Sequence, residues 1–210
     1  TTLAGDLERR DFTVNALALH PGSGRFADFH GGLEDLAARR LRAVGNPAAR
    51  FREDALSLLR AVRFAATLEF AVEPRTEAAM ASERAGLARV SAERVREELR
   101  KLLAAPRPSL GFRLMQRTGI LGVILPELEE GVGVSQNRYH AHSVFEHVLH
   151  AVDAAPAGDP LVRWAALLHD VGKPRTRREG PDGEATFYNH EVLGADLAAE
   201  ILDRLRRSRE

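Results

Sequence analysis

Histidines and an aspartate in the last third of the chain have the residue types of a metal site. Six of the eight histidines lie between positions 140 and 190, and an adjacent His169-Asp170 pair ends an apolar helical segment. His147 lies one predicted helix earlier, and His190 opens the last predicted helix. Imidazole nitrogens and carboxylate oxygens suit a divalent transition metal, and ligands on separate helices converge when those helices form a bundle. Such an ion lowers the pKa of a bound water and directs it at a phosphoester, so these four residues are candidate metal ligands.

A second candidate site lies in residues 50–70, where helical spacing separates apolar from charged side chains. One face carries five apolar residues: Leu58, Leu59, Val62, Ala65 and Ala66. The opposite face carries Glu53, Ser57, Arg60 and Arg63. We expect Glu53 and Asp54 in the first turn of this helix, where the helix dipole favours carboxylates. A solvated ionic face explains the pattern as well as a functional face does.

The composition excludes some classes of protein and leaves nucleic-acid binding open. The 210 residues contain 30 basic and 30 acidic side chains, and Lys101 and Lys173 are the only lysines. Arginine suits bidentate phosphate contacts, although a GC-rich genome produces the same bias. The sequence contains no cysteine, which excludes disulfides and thiolate metal sites and fits a cytoplasmic protein. No apolar run approaches the length of a membrane span, so we expect no membrane contact.

The elements that must position these groups are mainly α-helical. Apolar alternation over 12–18, turn residues at 20–24 and an extended run at 25–29 predict a β-hairpin. Asn46-Pro47 marks a boundary, after which helical spacing dominates. The main predicted helices cover residues 33–40, 52–68, 76–85, 91–105, 110–118, 120–130, 143–154, 161–171 and 191–207. A looser connection near 131–138 separates the last three, and Pro181-Asp-Gly183 predicts a turn between the last two.

Two sets of strings carry a resemblance to known families. His147, His169-Asp170 and the string FYNHEVLGA at 187–195 resemble the HD superfamily of metal-dependent phosphohydrolases. The strings QNRYH at 136–140 and VFEH, which ends at His147, are similar to the lead-in to that domain in bacterial tRNA nucleotidyltransferases.

The first part of the chain agrees independently. RRDFTVNA at 9–16, DFHGG at 28–32, RFRED at 50–54 and LRAVRFA at 59–65 are similar in order and spacing to the class II CCA-adding enzyme and bacterial poly(A) polymerase family. The resemblance covers nearly the whole chain. It implies a mainly α protein in three segments: the end of an α+β nucleotidyltransferase head with a short β-hairpin (first segment, 1–46), a helical neck and body (second segment, 47–135) and an HD domain (third segment, 136–210).

The resemblance also implies an activity and its partners. Family members use Mg²⁺ to direct the 3′ hydroxyl of a tRNA or other RNA at the α-phosphate of CTP or ATP, which releases pyrophosphate. In the RRDFTxNA motif the second arginine, the aspartate and the asparagine help to hold the incoming nucleotide. These residues are Arg10, Asp11 and Asn15 here. Guanidinium and amide groups suit phosphate and ribose oxygens, and a carboxylate accepts from hydroxyls.

The family's Glu-Asp-x-x-Arg motif falls on the helix predicted over 52–68. Its aspartate and arginine act as a protein template for the Watson–Crick edge of the base, which assigns Asp54 the acceptor role. The position of the arginine is Ser57 here, whose hydroxyl is too short to replace a guanidinium. Arg60 and Arg63 are the further candidate nucleotide-binding residues, so base selection through the usual pair of residues is in question.

A second departure concerns the catalytic carboxylates. The family's head carries a Gly-Ser turn followed by Asp-x-Asp, which binds the two Mg²⁺ ions, and this sequence has no Asp-x-Asp. We therefore expect those ligands outside this sequence, and no nucleotide addition by these residues alone. The chain begins at Thr1 without a methionine, and HD domains usually have a last aspartate ligand further on. We therefore expect an incomplete head and an incomplete HD domain.

Three functions compete at this point. The first is a tRNA 3′-end nucleotidyltransferase, with CC, A, CCA and poly(A) addition all open. The second is HD hydrolysis of a phosphomonoester or cyclic phosphodiester, with Ni²⁺, Mn²⁺ or a similar ion. The third is an RNA-binding helical module whose catalytic residues have decayed, a reading that Ser57 favours.

Overall fold

A computed structural model describes residues 2–136, 142–180 and 184–206. Thirteen α-helices and six short strands are found in these ranges, which confirms a mainly α fold. The string at 137–140 in the predicted lead-in, the predicted turn at 181–183 and the last predicted helical residue, Arg207, lie outside the described residues. No helix in the described ranges combines the length and the apolar character needed to cross a lipid bilayer.

The first segment contains the predicted hairpin. Its elements are α1 (Leu3–Glu8), a 3-10 turn (Thr13–Asn15), β1 (Leu17–Leu19), β2 (Phe26–Asp28), α2 (Gly32–Ala37) and β3 (Arg40–Leu41). β1 and β2 pair antiparallel, with Leu17 opposite Asp28. The strand is shorter than the predicted alternation, because Phe12 instead forms an isolated bridge with Ala43 and the chain then enters the 3-10 turn.

A buried carboxylate holds the first segment together. Asp35 on α2 is fully buried and accepts hydrogen bonds from Thr13 Oγ1 at 2.6 Å, Arg40 Nε at 2.5 Å and Arg42 Nε at 2.8 Å. Burial by itself would raise the pKa of Asp35, but the bonds from Thr13, Arg42 and Arg40 outweigh it, and the pKa lies below its ordinary value. The ionised carboxylate therefore joins α2 to the strand that leads into the second segment.

The second segment is helical apart from one short strand. Its elements are α3 (Pro47–Glu53), α4 (Leu56–Leu68), β4 (Ala71–Val72), α5 (Pro74–Glu83), a 3-10 helix (Arg84–Arg89), α6 (Ala92–Leu103), α7 (Pro108–Arg117), α8 (Ile120–Ile124) and α9 (Pro126–Glu129). β4 was not predicted and pairs parallel with β3, placing Arg40 opposite Ala71. α4 packs against α6 and α7, which brings the charged face of α4 close to α6.

The single helix predicted over 52–68 is wrong, because the chain breaks at Asp54. Asp54 has φ −138° and ψ 101°, which is extended backbone. Its Oδ1 accepts a hydrogen bond from the backbone N–H of Leu56 at 3.1 Å, a local bond that competes with helix continuation. Glu53 therefore ends α3, and Asp54 lies in the joint between α3 and α4 instead of in the first turn of a helix.

The third segment packs onto the second through one hydrophobic core. Its elements are α10 (Val144–Ala154), α11 (Pro160–Leu168), α12 (Lys173–Thr176), β5 (Arg178–Glu179), β6 (Ala185–Thr186) and α13 (His190–Arg206). α10 contacts α7 and α11, and α13 contacts α6. The main core is one connected cluster of buried apolar residues, with members from all three segments between Phe12 and Leu205. The division into three segments therefore stays a prediction from sequence.

A buried arginine ties the third segment to the end of α6. Arg163 on α11 has 2% of its surface exposed. Its Nη1 donates to the carbonyl oxygens of Leu103 and of Ala105, the latter at 2.6 Å, and its Nε donates to Ala155 O at 3.2 Å. These carbonyls have no partner within a helix, because they lie at or beyond the ends of α6 and α10. The guanidinium satisfies them and complements the negative end of the α6 dipole.

Candidate metal centre and nucleotide-binding surface

Three of the four predicted metal ligands come together where the start of α10 lies beside the end of α11. Single ligand atoms from His147, His169 and Asp170 all lie within 4.8 Å of one another. α10 presents His147 from its first turn, and α11 ends at Leu168, so the next two residues leave the helix at the same place. The packing of the two helices thus brings together His147 and His169, which are 22 positions apart in the sequence.

His169 is oriented for metal binding by a backbone carbonyl. Its Nδ1 lies 2.9 Å from Ala166 O, so Nδ1 carries the proton that this bond needs. Nε2 then presents its lone pair when the ring is neutral, the usual arrangement of a metal-bound histidine. Nε2 lies 3.3 Å from His147 Nε2 and 3.1 Å from Asp170 Oδ2. The close contact with Asp170 raises the pKa of His169.

Asp170 supplies the buried charge of the cluster. It is 3% exposed, and its Oδ2 lies 3.4 Å from His147 Nε2, 3.1 Å from His169 Nε2 and 2.7 Å from Lys173 Nζ. Burial by itself would raise the pKa of Asp170, but contacts with His169 and Lys173 outweigh it and hold the pKa far below its ordinary value. Even so, Oδ2 makes no hydrogen bond of normal geometry. A buried carboxylate oxygen beside two imidazoles fits a divalent metal ion.

His190 lies at the edge of the cluster, outside the group of three. It is the first residue of α13, and its Nε2 lies 3.7 Å from Asp170 Oδ1. Its Nδ1 lies 2.7 Å from Phe187 O, which leaves Nε2 facing the aspartate. The structure therefore places His190 beside the other oxygen of Asp170, and its role as a ligand stays a prediction.

The sequence reasoning missed Lys173. Its Nζ contacts Asp170 and donates to Gln136 Oε1 at 2.9 Å. With Gln136, Phe187 and Tyr188, it lines a cavity of about 370 Å³ next to His190. The sequence did contain a signal for this contact. Lys173 follows Asp170 by three positions, and a helical turn places side chains at that spacing together.

A close glycine contact holds α13 against the cluster. A Cβ on Gly172 would lie 2.7 Å from Gly194 N and even closer to His190 O, and both are backbone atoms. We expect Gly172→Ala to push α13 away and to lower the free energy of unfolding by about 1 to 3 kcal/mol. The displacement of α13 should also lower the affinity of the cluster for metal. Urea denaturation and metal titration measure the two effects.

Gly158→Ala is the matched control, since a Cβ there meets nothing within 4 Å. Equal stability of the two variants would show that α13 yields to the extra methyl group without cost.

The predicted nucleotide-binding surface centres on Asp54, whose side chain is 41% exposed. Arg94 from α6 approaches it, with Nη2 3.3 Å from Oδ1 and 3.1 Å from Oδ2. Sequence reasoning missed Arg94, because it lies 40 positions from Asp54 and only the packing of α6 on α4 brings it there.

Ser57 does not lie on an exposed ionic face, and that part of the prediction is wrong. Ser57 is fully buried, and its Oγ donates to Asp11 Oδ1 at 2.7 Å. Arg60 Nη1 lies 2.8 Å from Asp11 Oδ2. Both oxygens of Asp11 therefore have partners on α4, so this predicted nucleotide-binding residue ties the first segment to the second.

The other candidate residues also have partners within the protein. Arg63 Nε donates to Glu98 Oε2 at 2.6 Å, and Arg10 Nη2 donates to Asp6 Oδ2 at 2.9 Å. Asn15 Oδ1 accepts from the backbone N–H of Phe12 at 3.1 Å. Nucleotide binding by Arg10, Asp11, Asn15, Arg60 and Arg63 stays a prediction.

Family comparisons match three consecutive parts of the chain. Residues 1–42 match the family described as "Poly A polymerase head domain", and residues 139–209 match "HD domain". Between them, residues 69–131 match "Probable RNA and SrmB- binding site of polymerase A".

Individual relatives agree with these matches. The chain is 45% identical to the A-adding tRNA nucleotidyltransferase of Deinococcus radiodurans, over 97% of this chain and 49% of that protein. It is 42% identical to the CC-adding tRNA nucleotidyltransferase of Thermus thermophilus, over 99% of this chain and 49% of that protein. The chain thus spans about half the length of these relatives.

A solved structure supports the same assignment. The Bacillus stearothermophilus CCA-adding enzyme in complex with CTP superposes with a TM-score of 0.65 and 32% identity, over 96% of this chain and 46% of that chain. Since the head, RNA-binding and HD family models match consecutive parts of the chain and these relatives are tRNA nucleotidyltransferases, the chain belongs to the tRNA nucleotidyltransferase and poly(A) polymerase family with an HD domain.

Proposed function

We propose that the protein adds nucleotides to tRNA 3′ ends, using CTP or ATP with Mg²⁺. The observation that carries this proposal is the similarity to an A-adding and a CC-adding tRNA nucleotidyltransferase along 97% or more of the chain. Related solved structures contain CTP or ATP, which supports nucleotide binding by the same fold. Absence of cysteine further supports a cytoplasmic location.

The residues of this chain bind and select the nucleotide in this proposal. Mg²⁺ supplies stabilisation of charge at the α-phosphate when bound, and the sequence contains no Asp-x-Asp to hold it. Asp54 accepts a hydrogen bond from the exocyclic amino group of cytosine or adenine. Uracil and guanine present a carbonyl oxygen at the corresponding position, which an ionised carboxylate repels.

We expect Asp54→Ala to reduce the preference for CTP and ATP over UTP and GTP by about 10- to 100-fold, because a charged acceptor is lost. Incorporation of each nucleotide into tRNA by the full-length protein measures this preference. Asp196→Ala is a matched control, since Asp196 is an exposed aspartate on α13. A variant that selects nucleotides as the unmodified protein does would show that Asp54 does not read the base.

A second activity is supported by the cluster of His147, His169 and Asp170. We propose that it binds Ni²⁺, Mn²⁺ or a similar divalent ion and hydrolyses a phosphomonoester or cyclic phosphodiester. The bound ion supplies an activated water, and Lys173 lies where it can neutralise charge on a phosphate. Release of nitrophenol from p-nitrophenyl phosphate by chain loaded with each metal in turn tests the activity. No release with any divalent metal would contradict the phosphomonoester hydrolysis.

A further inference from the structure

Among the described residues, Asp54 in the joint between α3 and α4 receives no hydrogen bond from a side chain of either helix. Ser57 occupies the position where the family has the arginine of its base-reading pair, and it is buried with its hydroxyl on Asp11 at 2.7 Å. Turning Ser57 toward a bound base would leave the buried carboxylate of Asp11 without one of its two partners. Ser57 is therefore a structural residue here, and a base at Asp54 needs a donor from elsewhere.

Two arginines of α4 are already committed to buried carboxylates. Arg60 pairs with Asp11 at 2.8 Å, and Arg63 pairs with Glu98 at 2.6 Å. Without Arg60 the buried carboxylate of Asp11 has no charged partner, and without Arg63 the buried carboxylate of Glu98 keeps only Lys101 at 3.4 Å. Either loss is unfavourable. Neither arginine is therefore free to move to Asp54.

Arg94 is the guanidinium that the fold places at Asp54. Its side chain is 53% exposed, and its Nη2 contacts both oxygens of the carboxylate. Among the described residues, neither its Nε nor its Nη1 makes a hydrogen bond. The pair therefore presents an acceptor oxygen and, beside it, guanidinium N–H donors on an accessible surface.

We propose that Arg94 supplies the missing donor and reads the ring nitrogen of the incoming base, while Asp54 reads the exocyclic amino group. Cytosine and adenine both present an amino donor next to a ring acceptor, N3 or N1 respectively. Uracil and guanine present a carbonyl acceptor next to a ring N–H donor. That order is reversed, so Asp54 faces an acceptor and Arg94 faces a donor. This inference rests on the proposed nucleotide addition. It names Arg94 as the specificity residue that provides the donor missing at Ser57.

Base analogues test the assignment directly. 1-Deaza-ATP and 3-deaza-CTP replace the ring acceptor with C–H and keep the amino group, so they remove the one atom that Arg94 is proposed to contact. For the full-length protein, kcat/KM for the analogue should be about 10- to 100-fold below that for ATP or CTP. In Arg94→Met the analogue and the natural nucleotide should be used equally well, within about twofold, because the donor is gone.

Arg100→Met is the matched control. Arg100 lies on the same helix, is 52% exposed and pairs with the exposed carboxylate of Glu97 at 3.1 Å. This variant should discriminate against the analogues as the unmodified protein does. A purely structural effect of losing an arginine from α6 would lower use of analogue and natural nucleotide together and leave their ratio unchanged.

Two results would overturn the inference: Arg94→Met that still discriminates against the deaza analogues, or an unmodified protein that does not discriminate. If that protein uses ATP or CTP in either case, nucleotide addition itself stands and only the role of Arg94 is lost. Failure to incorporate any nucleotide would remove the proposed function and this inference together.

Discussion

Asp170→Ala is expected to abolish stoichiometric metal binding, weakening the affinity for Mn²⁺ or Ni²⁺ by more than about 100-fold. Mutating a residue that only hydrogen-bonds to a metal ligand typically lowers metal affinity about 10- to 100-fold. Asp170 is itself a proposed ligand and carries the only negative charge of the three-residue group. Its buried Oδ2 faces both imidazoles. A water molecule that took its place in the alanine variant would carry no negative charge. Calorimetric titration with each ion, together with the metal content of the purified chain, measures the loss.

The pH dependence of metal binding provides a second readout. His169 binds metal only as neutral imidazole, and its contact with Asp170 raises its pKa above the ordinary histidine value. Protons therefore compete at higher pH than at an isolated histidine, and affinity should fall as the pH drops through this raised pKa. Asp196→Ala, an exposed aspartate on α13, should behave as the unmodified chain does. Undiminished metal binding by Asp170→Ala would sink the assignment of the site.

Arg163→Met should lower the free energy of unfolding by about 3 kcal/mol or more, because three backbone carbonyls lose their charged donor. Two of these oxygens, on Leu103 and Ala105, lie in a region from which methionine excludes water. Each buried acceptor left without a partner costs roughly 1 to 3 kcal/mol. Urea denaturation followed by circular dichroism measures the change.

Two further variants serve as comparisons for Arg163→Met. Arg163→Lys should recover part of the loss, because one ammonium group cannot reach both Ala155 O and the carbonyls at the end of α6. Arg206→Met, at an exposed arginine on α13, should stay within about 0.5 kcal/mol of the unmodified chain. If Arg163→Met were as stable as Arg206→Met, the guanidinium would not be what joins α11 to α6.

Local chemistry explains why much of the arrangement of the candidate metal-binding side chains was predictable. His169 and Asp170 are adjacent, and an apolar helix that ends just before them delivers both to one place. His147 falls on the first turn of the preceding helix, so a bundle of the two brings it near. The position of His190 relative to Asp170 depended on the close contact of Gly172 with α13, which residue types alone do not specify.

The geometry of the predicted nucleotide-binding surface was less predictable, because its groups come from elements far apart in the chain. Helical periodicity assigned Ser57 to the charged face, since serine is polar and the face beside it carries arginines. Burial of its hydroxyl depended on Asp11, 46 positions earlier, being delivered to α4 by the first segment. The break at Asp54 had a similar cause, because the local bond to Leu56 and the ion pair with Arg94 replaced helix continuation.

By itself the sequence determined a mainly helical protein with a short hairpin, and it predicted which residues bind a metal ion or accept from a base. These follow from periodicity, turn residues and side-chain chemistry, which act over a few positions. The tertiary structure alone decided which charged side chains face solvent and which are paired with one another inside the protein. Arg60 and Arg63 are paired with Asp11 and Glu98, whereas Arg94 lies beside the accessible Asp54. That division depends on how α4 and α6 pack, because a charge is available to a ligand only where packing leaves it exposed.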